Sequence, residues 1–218
     1  GVTGTNGKTT TTLMLESILR AALAKNTEPY GRSMFLVHLA ALLSLRTDAV
    51  AQDEVLAICQ EQLANPGLSP GYVGWCRLMS ARVHLARGEL AAAEPLLTQA
   101  IEVLRTAPYR RLVAQAMLIE VWARLGRIGD AIKLVEATQA EIAELGKVGY
   151  AELPVRFAVS LAYHCAGLHT QAEEWRQSAI KELYRRADLA PSAEARQRFL
   201  TQIPDNVRIE QLTREWET

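Results

Sequence analysis

Three glycines constrain this chain more than any other feature. The segments His84-Leu85-Ala86-Arg87-Gly88, Trp122-Ala123-Arg124-Leu125-Gly126 and Tyr163-His164-Cys165-Ala166-Gly167 align on them. A large ring (His84, Trp122, Tyr163) stands four residues before each glycine, and an alanine (Ala93, Ala131, Ala172) stands five after it. Glycine adopts the left-handed backbone that ends a helix without a Cβ clash. The ring fills the space between two paired helices, and the alanine lets the second helix approach closely. Repeated three times, this combination predicts antiparallel helical hairpins joined by short turns.

The surrounding pattern agrees. From about Ser33 onward the apolar spacing is helical, and no alternating strand pattern is sustained. Leu78, Ala81 and Leu85, then Leu90 through Leu97, Ile101 and Leu104, read as two amphipathic helices broken at Gly88. Further breaks fall at Asn65-Pro66-Gly67, Ser69-Pro70-Gly71, Pro108, Gly126, Gly146 to Gly149, and Gly167. The ring, glycine and alanine offsets resemble the tetratricopeptide repeat. Ala100 and Ala179, seven residues beyond the aligned alanines, agree as well, whereas Thr138 breaks the pattern. Gly88 to Gly126 is 38 residues and Gly126 to Gly167 is 41, longer than the usual ~34. That spacing is closer to the looser repeats of sensor regions in large bacterial regulators and signalling ATPases. The expected architecture is all-α: stacked hairpins forming a tetratricopeptide-like solenoid over residues 33–186, with 33–67 a degenerate hairpin lacking the glycine. Residues 187–218, with the Ile203-Pro204-Asp205-Asn206 break and a last short helix ending near Trp216, read as capping helices over the final apolar face.

The beginning of the chain is different. Gly1-Val2-Thr3-Gly4-Thr5-Asn6-Gly7-Lys8-Thr9-Thr10-Thr11 is a glycine-rich turn followed by Lys and threonines. Such a string lets backbone N–H groups converge on phosphate at the start of a helix. The strict G-x-x-x-x-G-K-T pattern fails, because Val2 occupies the first glycine's place. The string is very similar to the ATP-binding loop of the Mur ligases and of folylpolyglutamate and cyanophycin synthetases. The likeness continues through Thr12-Leu13-Met14-Leu15-Glu16-Ser17-Ile18-Leu19-Arg20-Ala21-Ala22, most like the murein tripeptide ligase branch. The resemblance implies ATP contacts from Gly4, Thr5, Asn6, Gly7, Lys8, Thr9 and Thr10. Lys8 would lie on the β/γ-phosphates and the Thr9 hydroxyl on Mg²⁺, for acyl-phosphate formation before an amide bond is made.

The resemblance covers residues 1–23 and then stops. The strand expected before the loop, the central sheet, the metal ligands and the amino-acid-binding domain of a ligase have no counterpart. Instead a linker at 26–32 leads into the repeats. Residues 1–25 therefore read as a relic, graft or joined fragment, and the start at Gly1 without Met suggests a fragment or a processed or engineered product. The helix bearing Leu13, Leu15, Ile18, Leu19 and Leu23 has enough apolar surface to dock as an N-terminal cap.

Composition narrows the partner class. Lys and Arg number 24, as do Asp and Glu, so no counterion-release term points to nucleic acid. The longest apolar run, Met34 to Leu45, is too short for the ~20 residues a membrane span needs. Cys59, Cys76 and Cys165 are odd in number, form no metal-type pair and lie in apolar helical patterns, which suggests core thiols and a cytoplasmic protein. His38, His84, His164 and His169 are dispersed and read as core or surface residues rather than metal ligands.

The expected function is a non-enzymatic protein-interaction or scaffold module, the sensory part of a larger bacterial regulator, without a cofactor. Its groove would take a protein or peptide and be lined by residues 74–86, 112–124 and 153–165. The alternative is an ATP-binding protein or amide-forming ligase fragment using the N-terminal loop with ATP and Mg²⁺. A third reading is that the two parts come from different genes.

Overall fold

A computed structural model of the chain describes the backbone of residues 8–215 and the side chains of residues 14–211. Among these residues there are eleven α-helices and no strand. They are α1 (Lys8–Lys25), α2 (Pro29–Leu43), α3 (Ala49–Leu63), α4 (Pro70–Ala86), α5 (Leu90–Val103) and α6 (Pro108–Arg124). The series continues with α7 (Ile128–Leu145), α8 (Glu152–Cys165), α9 (His169–Ala187), α10 (Ala193–Gln202) and α11 (Pro204–Glu215). Each helix packs on its chain neighbour, and α6 also packs broadly on α8, so the hairpins α2/α3, α4/α5, α6/α7 and α8/α9 stack in sequence.

The repeated glycines do the same work at three hairpins. Gly88, Gly126 and Gly167 have φ of 76°, 74° and 73°. Just beyond each glycine, the next N–H reaches back to the carbonyl of the aligned ring residue. Glu89 donates to His84 (2.8 Å), Arg127 to Trp122 (2.8 Å) and Leu168 to Tyr163 (2.9 Å). This six-to-one bond is the Schellman closure, and it satisfies a carbonyl that the helix end would otherwise leave unpaired. Ala93 and Ala131 are fully buried and Ala172 nearly so, as close helix approach requires. Thr138, the exception in the sequence pattern, is also fully buried; its Oγ1 donates to the Leu134 carbonyl at 2.7 Å. A hydroxyl that bonds its own helix fits where alanine stands in the other two repeats.

Prolines start four helices, where a missing N–H costs nothing: Pro29 in α2, Pro70 in α4, Pro108 in α6 and Pro204 in α11. Helix α2 thereby begins inside the stretch expected to be a linker. Its start is fixed by the Glu28 carboxylate, which accepts from the N–H groups of Tyr30 and Gly31. The N-terminal helix docks more narrowly than its composition suggests. Leu19 and Leu23 pack against the core of α2, α3 and α4, while Met14, Leu15 and Ile18 remain exposed. A bidentate pair from Arg20 to Glu54, 2.7 Å in both arms, ties α1 to α3.

A large central core runs from α4 through α8, with a second core under α2–α4 and a third joining α8, α9, α10 and α11. Cys59 and Cys76 are buried, but Cys165 is exposed at the end of α8, contrary to the expectation for all three thiols. The hydrogen bond to Cys59, together with burial, pushes the Cys76 thiol well above the ordinary range.

Candidate functional site

The helix α6 is buried along almost its whole length, with every residue from Leu112 to Val121 shielded from solvent. Within this run sits one carboxylate, Glu120, only 2% exposed. A buried carboxylate is costly unless it is paired. Its partners are Arg124 one turn along the same helix, at 3.1 Å, and Arg208 from α11, which donates to Glu120 Oε1.

Helix α11 thus crosses the face formed by α4, α6 and α8. Asp205 in its first turn pairs with Arg82 of α4 at 3.6 Å. Arg208 pairs with Glu120 of α6, and its guanidinium lies 4.6 Å from the ring centre of Phe157 in α8. Burial works against the charge of Arg208, and the Glu120 carboxylate outweighs it, holding the guanidinium protonated more firmly than usual. Ile209 is 2% exposed in the core shared with Leu153, Phe157 and Leu183. The turn into α11 is held by Asn206, whose Nδ2 donates to the Phe199 carbonyl at 2.8 Å.

Between α11 and the first helices of the hairpins lies a cleft of about 690 Å³. Its walls are Arg82, Leu85 and Ala86 from α4, Met117 and Arg124 from α6, Ser44, Arg46 and Thr47 at the α2–α3 turn, and Pro204, Asp205, Val207 and Arg208 from α11, with Thr201 and Gln202. Four guanidinium groups and one carboxylate line it, around apolar surface from Leu85, Met117 and Val207. Of the three segments expected to line a groove, 74–86 and 112–124 supply wall residues from α4 and α6, and 153–165 supplies none. A smaller cavity of about 320 Å³ lies among α7, α8 and α9, with Ile142, Val148, Val155 and Trp175 in its lining.

The other sequence-predicted residues lie elsewhere. Gly4, Thr5, Asn6 and Gly7 are outside the described residues. Lys8, Thr9 and Thr10 open α1, and their side chains are outside the described set too. No described strand supplies the sheet that fixes such a loop in a ligase. His164 and His169, which a helical projection sets apart, meet across the α8–α9 turn with ring centres 5.6 Å apart. Burial, then the neighbouring His169, lowers the His164 pKa from its ordinary value. Among the described residues no group of three or more His, Cys, Asp and Glu side chains converges as a metal ion would require. No described helix is long and apolar enough to cross a membrane.

No family model, no curated protein and no solved structure matches this chain. The residues that shape the cleft were not singled out by sequence reasoning. The available signal was Glu120 itself, a lone acid in the apolar run Leu118-Ile119-Glu120-Val121-Trp122, which demands a cation from elsewhere.

Proposed function

We propose that this chain is a protein-interaction module of tetratricopeptide-like helical repeats. It takes a polypeptide segment in the cleft between α4, α6 and α11, without a cofactor. One observation carries the reading: the cleft combines apolar surface from Pro204 and Val207, over the edges of the buried Leu85 and Met117, with the guanidinium groups of Arg82, Arg124 and Arg208. Apolar surface supplies affinity for a peptide, and guanidinium groups select carboxylates on it by charge and geometry. The equal glycine geometry at three hairpins supports the repeat assignment, and the long repeat spacing favours the sensory part of a larger bacterial regulator.

The test is selection of a displayed peptide library against the full chain. Enriched peptides are expected to carry acidic residues beside apolar ones. Their binding should fall at least about tenfold with Arg124→Glu and stay unchanged with Arg105→Glu, an exposed site at the α5–α6 turn. Peptides equally sensitive to both substitutions, or insensitive to Arg124→Glu, would refute the assignment of the cleft.

A further inference from the structure

The hairpins are not evenly stacked. Helix α7 runs 18 residues where its counterpart α5 runs 14, and at about 1.5 Å per residue the difference carries it ~6 Å further. The connection that follows spans residues 146–151, against 104–107 after α5, and α7 packs less extensively on α8 than α5 does on α6. Leu104 and Ile142 stand at the same distance beyond Gly88 and Gly126. Leu104 is fully buried and seated against Gly74, where a Cβ would lie 2.7 Å from its Cγ. The position aligned with Gly74 is Leu112, which leaves no such seat. Ile142 accordingly stays partly open, on the wall of the cavity of about 320 Å³ among α7, α8 and α9. Well-packed interiors leave few voids of this size, and sites for small molecules are the usual exception.

Three charged groups line this cavity, and two of them answer each other. Glu152 takes Arg156 on one carboxylate oxygen and Arg186 on the other, and Arg156 also donates to the Ser178 hydroxyl. The third group, Glu174, has no hydrogen bond or ion pair among the described residues. Its neighbour Trp175, also on the wall, differs from the other described tryptophans. Trp75 has the Arg110 guanidinium 3.8 Å from its ring centre, and Trp122 has Arg127 at 5.0 Å and donates Nε1–H to Glu94. Trp175 has no cation on its ring and no hydrogen-bond partner among the described residues. A carboxylate and an indole ring both attract positive charge, and more strongly where apolar surface excludes water.

We propose that this cavity binds a small organic cation, an ammonium group carried on an apolar body. Glu174 and Trp175 hold the ammonium, and Ile142 and Val148 take the body. Arg156 is already committed to Glu152 and Ser178, so no free guanidinium remains on the wall to hold an anion. At ~30 Å³ for each water-sized group, the space suits a ligand of about ten non-hydrogen atoms. The site shares no wall residue with the cleft beside α11 and stands apart from the peptide reading of that cleft.

The probe is phenethylamine, protonated at neutral pH, with phenethyl alcohol and phenylacetate as its neutral and anionic counterparts. Each is titrated into the full chain and followed through the indole N–H signals by NMR, the Trp175 signal being the one lost in Trp175→Phe. The amine should shift that signal saturably, and the alcohol and the acid should bind at least about tenfold more weakly. Glu174→Gln should weaken amine binding about tenfold, through loss of a charge-assisted contact. Glu61→Gln, the same change at an exposed site of α3, should leave it unaltered. Val148→Phe, which fills the cavity while keeping Glu174 and Trp175, should abolish it. Equal binding of amine and alcohol, or of wild type and Glu174→Gln, overturns the proposal. So does binding that survives Val148→Phe, or the lack of a saturable shift at millimolar amine.

Discussion

The three hairpin glycines allow a quantitative test, because the structure separates backbone conformation from steric space. A Cβ built on Gly88, Gly126 or Gly167 would meet nothing within 4 Å, so Gly→Ala costs only the left-handed backbone. That cost is about 1–2 kcal/mol for an L-residue, less a few tenths returned by the stiffer unfolded chain. Each substitution should therefore destabilise by about 1 kcal/mol, and the three should agree within ~0.5 kcal/mol, because their φ angles span only 73° to 76°. Asn, which tolerates this conformation, should cost about half as much as Ala at each site. Gly129 of α7 is the control: its Cβ would also meet nothing, and its backbone is helical. There Ala should stabilise by ~0.5–1 kcal/mol. Gly74 is the opposite control, since a Cβ would sit 2.7 Å from Leu104 Cγ, and Gly74→Ala should lose ~1–3 kcal/mol to overpacking before any gain in helix propensity. Urea unfolding followed by circular dichroism measures all of these. If Asn cost as much as Ala at the hairpin sites, or if the three sites differed by more than about 1 kcal/mol, the shared closure would not be what fixes the hairpins.

The thiols should separate cleanly. In the native chain only Cys165 should react with a disulfide reagent, Cys59 and Cys76 reacting after unfolding; a native count unchanged by Cys165→Ser would contradict this. Burial raises the Cys165 thiol, so its rate should keep climbing with pH beyond where a free cysteine levels off. Glu182, hydrogen-bonded by Arg185 and then Arg186, is lowered to about 2. The stability it contributes is complete above the ordinary carboxylate value of 4.5 and is lost as pH falls through about 2. Carbon NMR of its carboxyl should show no titration near the ordinary value, and a midpoint there would show the ion pairs to be absent in solution. Finally, calorimetric titration with Mg·ATP should give no saturable binding at millimolar nucleotide. Micromolar binding abolished by Lys8→Ala would restore the nucleotide reading of the N-terminal loop.

The hairpins were legible because a left-handed helix end has few solutions, and glycine with a ring before it and alanine after it marks one of them in the chain itself. The outlying alignment partner Thr138 became intelligible only with its hydroxyl bond to Leu134 in place. The start of α2 was misplaced because its cap is Glu28, outside the usual Ser, Thr, Asp and Asn set. Leu15 and Ile18 were counted as docking residues because periodicity does not say which face of an end helix finds a neighbour; α1 has its main packing partner in α2, and Leu19 and Leu23 face the core. Of the three segments expected to line a groove, 74–86 and 112–124 border this cleft and 153–165 does not, and the pairs Arg82–Asp205 and Glu120–Arg208 were not foreseen. They join residues far apart in the chain: the i,i+4 spacing marks Arg124 as one partner of Glu120, but no local pattern marks Arg208.

Hydrogen–deuterium exchange of the full chain, with and without a peptide selected for binding, tests the assignment of the cleft most directly. The account predicts slower exchange at residues 82–86 of α4 and 117–124 of α6, the stretches that carry Arg82, Leu85, Met117 and Arg124. Protection confined to α5 and α7, with α4 and α6 unchanged, would contradict it.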